Sequence, residues 1–195
     1  GFNGGSQLAI GTAPDAIAVS KIFINTLLAG AGGVMVAGTL TRLSGKTDVV
    51  QMLNGCIGGL VAITAEPLMP SPLASILIGG VGGAIVVYGT KLLFSLKIDD
   101  VVGAIPAHLF AGIWGTLIVP ATNSGVTFGA QLMGVLSINI FVFIVALIIW
   151  SFMKATIGIR LSKEAETKGT DVSETGVIAY ATVSYTHLRA HETKR

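Results

Sequence analysis

Few side chains in this 195-residue sequence have the makings of a chemical site, and they gather in DDVVGAIPAHLFAGIWGTLIV, from Asp99 to Val119. Two carboxylates open the stretch, and one imidazole, His108, follows eight residues after Asp100. A neutral imidazole offers one donor and one acceptor, which suits it to relaying a proton or lining a narrow polar path. The alternative role for His108 is structural, a ring bonded to a neighbouring helix. No second ligand stands at suitable spacing, so the ring does not point to a metal site. Asp99 and Asp100 precede an apolar run, where carboxylates accept unpaired backbone N–H groups and complement the helix dipole. Capping a helix N-terminus is therefore the expected role of both.

The remaining polar candidates are sparse. Asn25 and Asn54 are amides in otherwise apolar runs, where hydrogen bonding between helices is the default. The single cysteine, Cys56, leaves no disulfide framework and no thiolate metal cluster, and reads as a small packing residue. Trp114, six residues after His108, is expected to pack, and Trp150 to anchor at a membrane interface. No nucleophile–base pair, no paired-carboxylate site and no cofactor box occurs. An enzyme is not expected, and no cofactor is implied.

The elements that must position these residues are membrane spans. The chain is 52% hydrophobic and only 11% charged, where soluble domains carry roughly 25% charged residues. Its mean hydropathy is +0.80. A net charge of +2 is too small to suggest a nucleic-acid partner. Five long apolar segments stand out, at about 16–43, 49–65, 73–96, 101–119 and 128–157. About 20 helical residues cross the roughly 30 Å hydrocarbon layer, so the fold class is an all-α polytopic membrane protein. His108, counted along a helix from Asp100, lies about 12 Å in, near the bilayer centre. Ionisable residues at that depth are costly and turn toward the bundle interior or a water-filled path.

Turns separate the spans. RLSGKTD (Arg42–Asp48) is polar, and EPLMPSP (Glu66–Pro72) holds prolines that cannot continue a helix. Lys97–Asp100 is charged, and PATNSGVT (Pro120–Thr127) is not. The glycines lie inside spans at helical spacing, as at Gly55 and Gly59, or Gly79 and Gly83. Gly103, Ala107, Ala111 and Gly115 form a small-residue stripe that lets helices approach closely. GGVGGA is not a phosphate-binding loop, because no strand precedes it.

Lysine and arginine give the orientation. Arg42 and Lys46 follow the first span, Lys91 and Lys97 the third, and Lys154, Arg160, Lys163 and Lys168 the last. The turns between carry no base. The segment 159–182 is then a cytoplasmic C-terminal tail, with Gly1 toward the outside. Lys21, near the outer start of its span, is expected to snorkel to the headgroups.

Both ends are unusual. GFNGGSQ has neither the basic region nor the apolar core of a signal peptide. Residues 1–10 read as the end of a further helix whose body is absent. VSYTHLRAHET, Val183 to Thr193, breaks from what precedes it and resembles a translated transposase-type sequencing adapter. Segment 183–195 is set aside on that ground, with His187, Arg189, His191 and Glu192. His108 is then the one histidine left.

Several stretches in order carry a resemblance: FNGGS at Phe2–Ser6, INTLLAGAGG at Ile24–Gly33, LNGCIGGLVAITAEP at Leu53–Pro67, IDDVVGAIPAHLFAGIWGT at Ile98–Thr116, and GIRLSKEAETKGTDVSETGVIAY at Gly158–Tyr180. The series resembles the Amt/Mep ammonium transporter family, with Rh proteins as more distant relatives. The resemblance implies an eleven-helix fold whose first ten helices are two inverted halves. This chain would supply the second inverted repeat plus the last helix.

The family's site residues carry over by position. His108 matches the second of two pore histidines, Phe2 a phenylalanine gating the outer mouth, and Ser6 a serine that helps hold ammonium in the outer vestibule. Cation–π contact with aromatics there offsets lost water. The first pore histidine, the other gating phenylalanine and the vestibule tryptophan belong to the half this chain does not include. Implied too are a homotrimer in a lipid bilayer, for a bacterium the inner (plasma) membrane, and a PII-type regulatory partner at the cytoplasmic face. The family's usual Glu-His-Gly before the final Ala-Tyr is Glu174-Thr175-Gly176 here, which bears on that partner and not on the pore. The expected function is an ammonium/ammonia channel or transporter that deprotonates ammonium and passes ammonia through a histidine-lined hydrophobic pore. The alternative is an ammonium sensor of the same family.

Overall fold

Local sequence signals start each long helix. In the computed structural model, which describes residues 1–178, helix α1 spans only Phe2–Gly5. Helix α2 runs Ala13–Leu43 from Thr12, whose hydroxyl accepts the Asp15 N–H. Helix α3, Val49–Ile63, starts at Asp48, which accepts the Gln51 N–H at 3.0 Å. Helix α4, Pro72–Ser95, starts at Ser71, which accepts the Ala74 N–H. Proline in the first turn of α2 and of α4 forgoes an N–H that would have had no partner. A six-residue π-helical stretch, Ile105–Phe110, then leads into α5, Ala111–Ile118, and a short 3₁₀ turn at Val119–Ala121. Helix α6 covers Phe128–Thr156, and α7 and α8 cover Lys163–Lys168 and Thr170–Thr175. No strand occurs among the described residues. The adapter-like segment 183–195 and the Ala-Tyr end of the tail lie outside them.

The described residues divide into two compact units, with the boundary between Phe141 and Val142. In the first, α2, α3 and α4 pack together, and α5 lies against α3 and α4. The core is made of Ala29, Ala62, Ile63 and Ile78, with Trp114 and Ile118 packed on it. Small residues hold the backbones close. A Cβ added at Gly79 would run into the carbonyl of Ala29, so only glycine fits where α4 crosses α2. Trp114 packs as expected and also donates its indole N–H to the Ile78 carbonyl at 3.1 Å.

Hydrogen bonds sort the turns into two ends. At one end the Glu66 carboxylate accepts from the Asn123 amide at 2.9 Å, joining the two turns that lack lysine and arginine. Asn25, 3% exposed, donates to the carbonyls of Pro67 and Pro70 at the same end. At the other end Lys91 donates to Ser44, and Asn54 donates to the Val102 carbonyl. Neither asparagine bonds across to another helix, the default for buried amides. Both bond to turn carbonyls, because those acceptors have no helical partner of their own.

Among the described residues three helices are long and apolar enough to cross a membrane: α2, α4 and α6, of 31, 24 and 29 residues. The second expected span is helical only over the 15 residues of α3. The fourth also differs from a continuous 101–119 helix. Val101 and Val102 lie in a turn, and Gly103 adopts φ +75°, which breaks the helix before it begins. No residue of α6 is buried within the chain.

In the second unit, Ser162 caps α7, and the Ser173 hydroxyl ties α8 to the Ala165 carbonyl. Arg160 meets Glu166 at 2.9 Å, and that hydrogen bond and charge hold the guanidinium above its ordinary range.

Candidate functional site

His108 follows a corner built by three other residues. Asp100 accepts the Ala104 N–H through Oδ1 at 2.9 Å and the Ile105 N–H through Oδ2 at 2.8 Å. One carboxylate therefore satisfies two orphan donors at the start of the helical run. Asp99, expected to share this task, is exposed and makes no hydrogen bond among the described residues. The carboxylate that caps is the one nearer the turn. Between Asp100 and the helix, the left-handed Gly103 carries the chain around the corner. Asn54, on α3, steadies it by donating from Nδ2 to the Val102 carbonyl at 2.8 Å.

The π geometry follows at once. The Ala111 N–H reaches back five residues to the Pro106 carbonyl. Pro106 and Ala107 are buried, and the stretch packs on α4 at Gly89. A Cβ added to Gly89 would lie 2.8 Å from Pro106 and 2.9 Å from Phe110. The residue after this buried pair, His108, is exposed. Its ring has no hydrogen-bond partner among the described residues, so the structural role weighed for it is not met there. The helical run begins four residues later than a count from Asp100 assumed, so the 12 Å depth of the ring does not follow from that count.

The imidazole opens onto a groove of about 320 Å³ whose polar lining is His108, Thr116, Gln131 and Asn139. Leu109, Ile113, Val135 and Ile138 make the rest of it largely apolar. Asn139 donates to the Val135 carbonyl one turn back, which leaves its amide oxygen free to accept. A groove with a few hydrogen-bonding groups on apolar walls can bond small neutral polar molecules and offers a bare cation little to replace its water. Thr116, Gln131 and Asn139 were not singled out from the sequence. Their signal was present, as polar side chains inside apolar spans.

The other two site residues flank α1, Phe2 at its start and Ser6 just past its end. Phe2 is 84% exposed, and the Ser6 hydroxyl donates to the Phe2 carbonyl at 3.4 Å. Asn3, buried beside them, ties α1 to α2 through Thr26 at 3.0 Å. His108 lines the groove, whereas neither Phe2 nor Ser6 does. Among the described residues no group of His, Cys, Asp and Glu could hold a metal ion.

A family model described as the Ammonium Transporter Family matches residues 1–180. The chain is 39% identical over 201 residues to ammonium transporter Amt2 of Archaeoglobus fulgidus, covering 92% of this chain and 42% of that one. It is similar to a solved structure described as "Sensor Amt Protein", with TM-score 0.81 and 27% identity over 89% of this chain and 45% of that one. It is also similar to Rh50 of Nitrosomonas europaea, with TM-score 0.72 and 26% identity over 98% of this chain and 49% of that one. The chain thus spans less than half the length of these relatives.

Proposed function

The chain belongs to the ammonium transporter family, and from that premise we propose that it supplies one wall of a histidine-lined path for ammonia across a membrane. Ammonium is recruited on the outer side, sheds its proton, and crosses as neutral ammonia. His108 lines the path and offers a donor and an acceptor to the passing molecule. The observation that carries this reading is the exposure of an unpartnered imidazole on a groove with mainly apolar walls. Such walls favour a neutral solute over an ion. Phe2 acts as the outer gate and Ser6 helps hold ammonium outside, with Phe2 presenting an exposed ring next to the Ser6 turn.

The C-terminal tail is cytoplasmic in this reading, with the lysine- and arginine-bearing turns on the same side. The protein works as a homotrimer in the plasma membrane, with a PII-type partner at the cytoplasmic face. Methylammonium uptake by the full-length gene product in a transport-deficient host tests the pore role. His108→Ala is expected to lower uptake at unchanged membrane abundance, and unchanged uptake would defeat the assignment.

One observation favours a second reading, an ammonium sensor: the similarity to the structure described as a sensor Amt protein. A sensor binds ammonium and signals to a cytoplasmic partner with little flux. Saturable ammonium binding without uptake would select this reading over the first.

A further inference from the structure

The pore reading explains His108 but not the irregular chain that carries it. A π-helical turn holds one more residue than an α-helical turn, and such turns are rare and frequent at functional sites. Here the C-terminal end runs into α5, which the Trp114 indole fastens to the Ile78 carbonyl of α4. The N-terminal end is the Asp100–Gly103 corner. Asp100 belongs to the same segment and would move with it. Asn54 does not, because it projects from α3, 48 residues earlier in the chain, and its bond to the Val102 carbonyl is the corner's side-chain tie to that helix.

We propose that Asn54 is a positioning residue for His108: its amide holds the Val102 carbonyl, which fixes the corner and thereby keeps the extra residue of the π turn in place. Gly103 completes the device. Its φ of +75° suits glycine, and an added Cβ would lie 2.6 Å from the Asn54 amide nitrogen. Corner and amide therefore fit each other and no larger residue. With the tie cut, the corner slips by one residue and the π turn relaxes to α. That slip turns His108 by about 100°, the rotation of one helical residue, and takes the ring off the groove.

Asn54 touches no solute; it acts through Val102 and Gly103. The proposal rests on the pore role of His108. The test measures methylammonium uptake by the full-length gene product, per molecule of folded protein in the membrane. Asn54→Leu keeps the size and removes the donor. Its Vmax is expected to fall about tenfold or more, the scale of a misplaced group. KM stays within about twofold, because recruitment lies elsewhere. Asn54→Gln, which keeps the amide, recovers at least half of the lost Vmax. A Vmax per folded molecule within about twofold of the parent for Asn54→Leu overturns the positioning role and leaves a packing role. Should Asn54→Leu fail to reach the membrane, Asn54→Ala, which removes the donor without adding bulk, is read by the same criteria. His108→Ala is measured beside them. Unchanged uptake there overturns the pore reading and this proposal together, whereas loss there with no change in Asn54→Leu overturns this proposal alone.

Discussion

The Glu66 carboxylate and the Asn123 amide meet at 2.9 Å across 57 residues of sequence, and that bond joins the two turns that carry no lysine or arginine. The other Glu66 oxygen accepts the backbone N–H groups of Leu68 and Met69 at 3.2 and 3.3 Å. Glu66 thus organises its own turn and binds the next one. A double-mutant cycle of Glu66→Ala and Asn123→Ala is expected to give a coupling of about 1.5–3 kcal/mol, the range for a hydrogen bond to a charged group. Additive losses in detergent unfolding would show the bond contributes nothing.

Asn25 holds two carbonyls with one amide nitrogen, deep in the same end. Asn25→Ala leaves both without this donor and is expected to cost about 2–3 kcal/mol. Asn25→Asp should cost more, since a carboxylate then faces two carbonyl oxygens. Thermal unfolding of the purified protein orders the three.

Gly79 marks the tightest approach of α4 to α2. Gly79→Ala must push backbone rather than a flexible side chain, and about 3 kcal/mol of destabilisation is expected. Gly129→Ala, where an added Cβ meets nothing within 4 Å, is the control and should change stability by less than about 0.5 kcal/mol in the unfavourable direction.

Lys97 occupies a position that favours glycine. Helix α4 ends with the Ile98 N–H bonded to the Leu93 carbonyl and the Lys97 N–H to that of Phe94, with Lys97 at φ +56°. Lys97→Gly relieves the left-handed strain and is expected to stabilise by about 0.5–1 kcal/mol. A lowered melting temperature would contradict this.

Much of the fold can be read from the sequence because hydropathy and punctuation coincide there. Thr12, Asp48 and Ser71 sit where side-chain caps belong, and each accepts the N–H three residues on. The irregular span could not be read the same way. Hydropathy scores Val101 and Val102 as membrane residues, yet Gly103 turns the chain there and Asp100 caps beyond it. The π turn leaves no compositional mark, and the contacts around it, such as those of Pro106 and Phe110 near Gly89, are tertiary. The groove depends on tertiary placement as well. Gln131 and Asn139 are ordinary polar residues until α6 sets them opposite His108.

The 15 residues of α3 rise only about 22 Å, short of the hydrocarbon thickness. α3 packs against both α2 and α4, which are longer than it is. During synthesis α2 would partition into lipid on its own, while α3 gains little by doing so before α4 emerges. The order of elements therefore makes the burial of a short segment depend on its longer neighbours, α2 before it and α4 after it. Lengthening α3 to the full thickness would loosen that dependence and carry the turn at Glu66 away from Asn123.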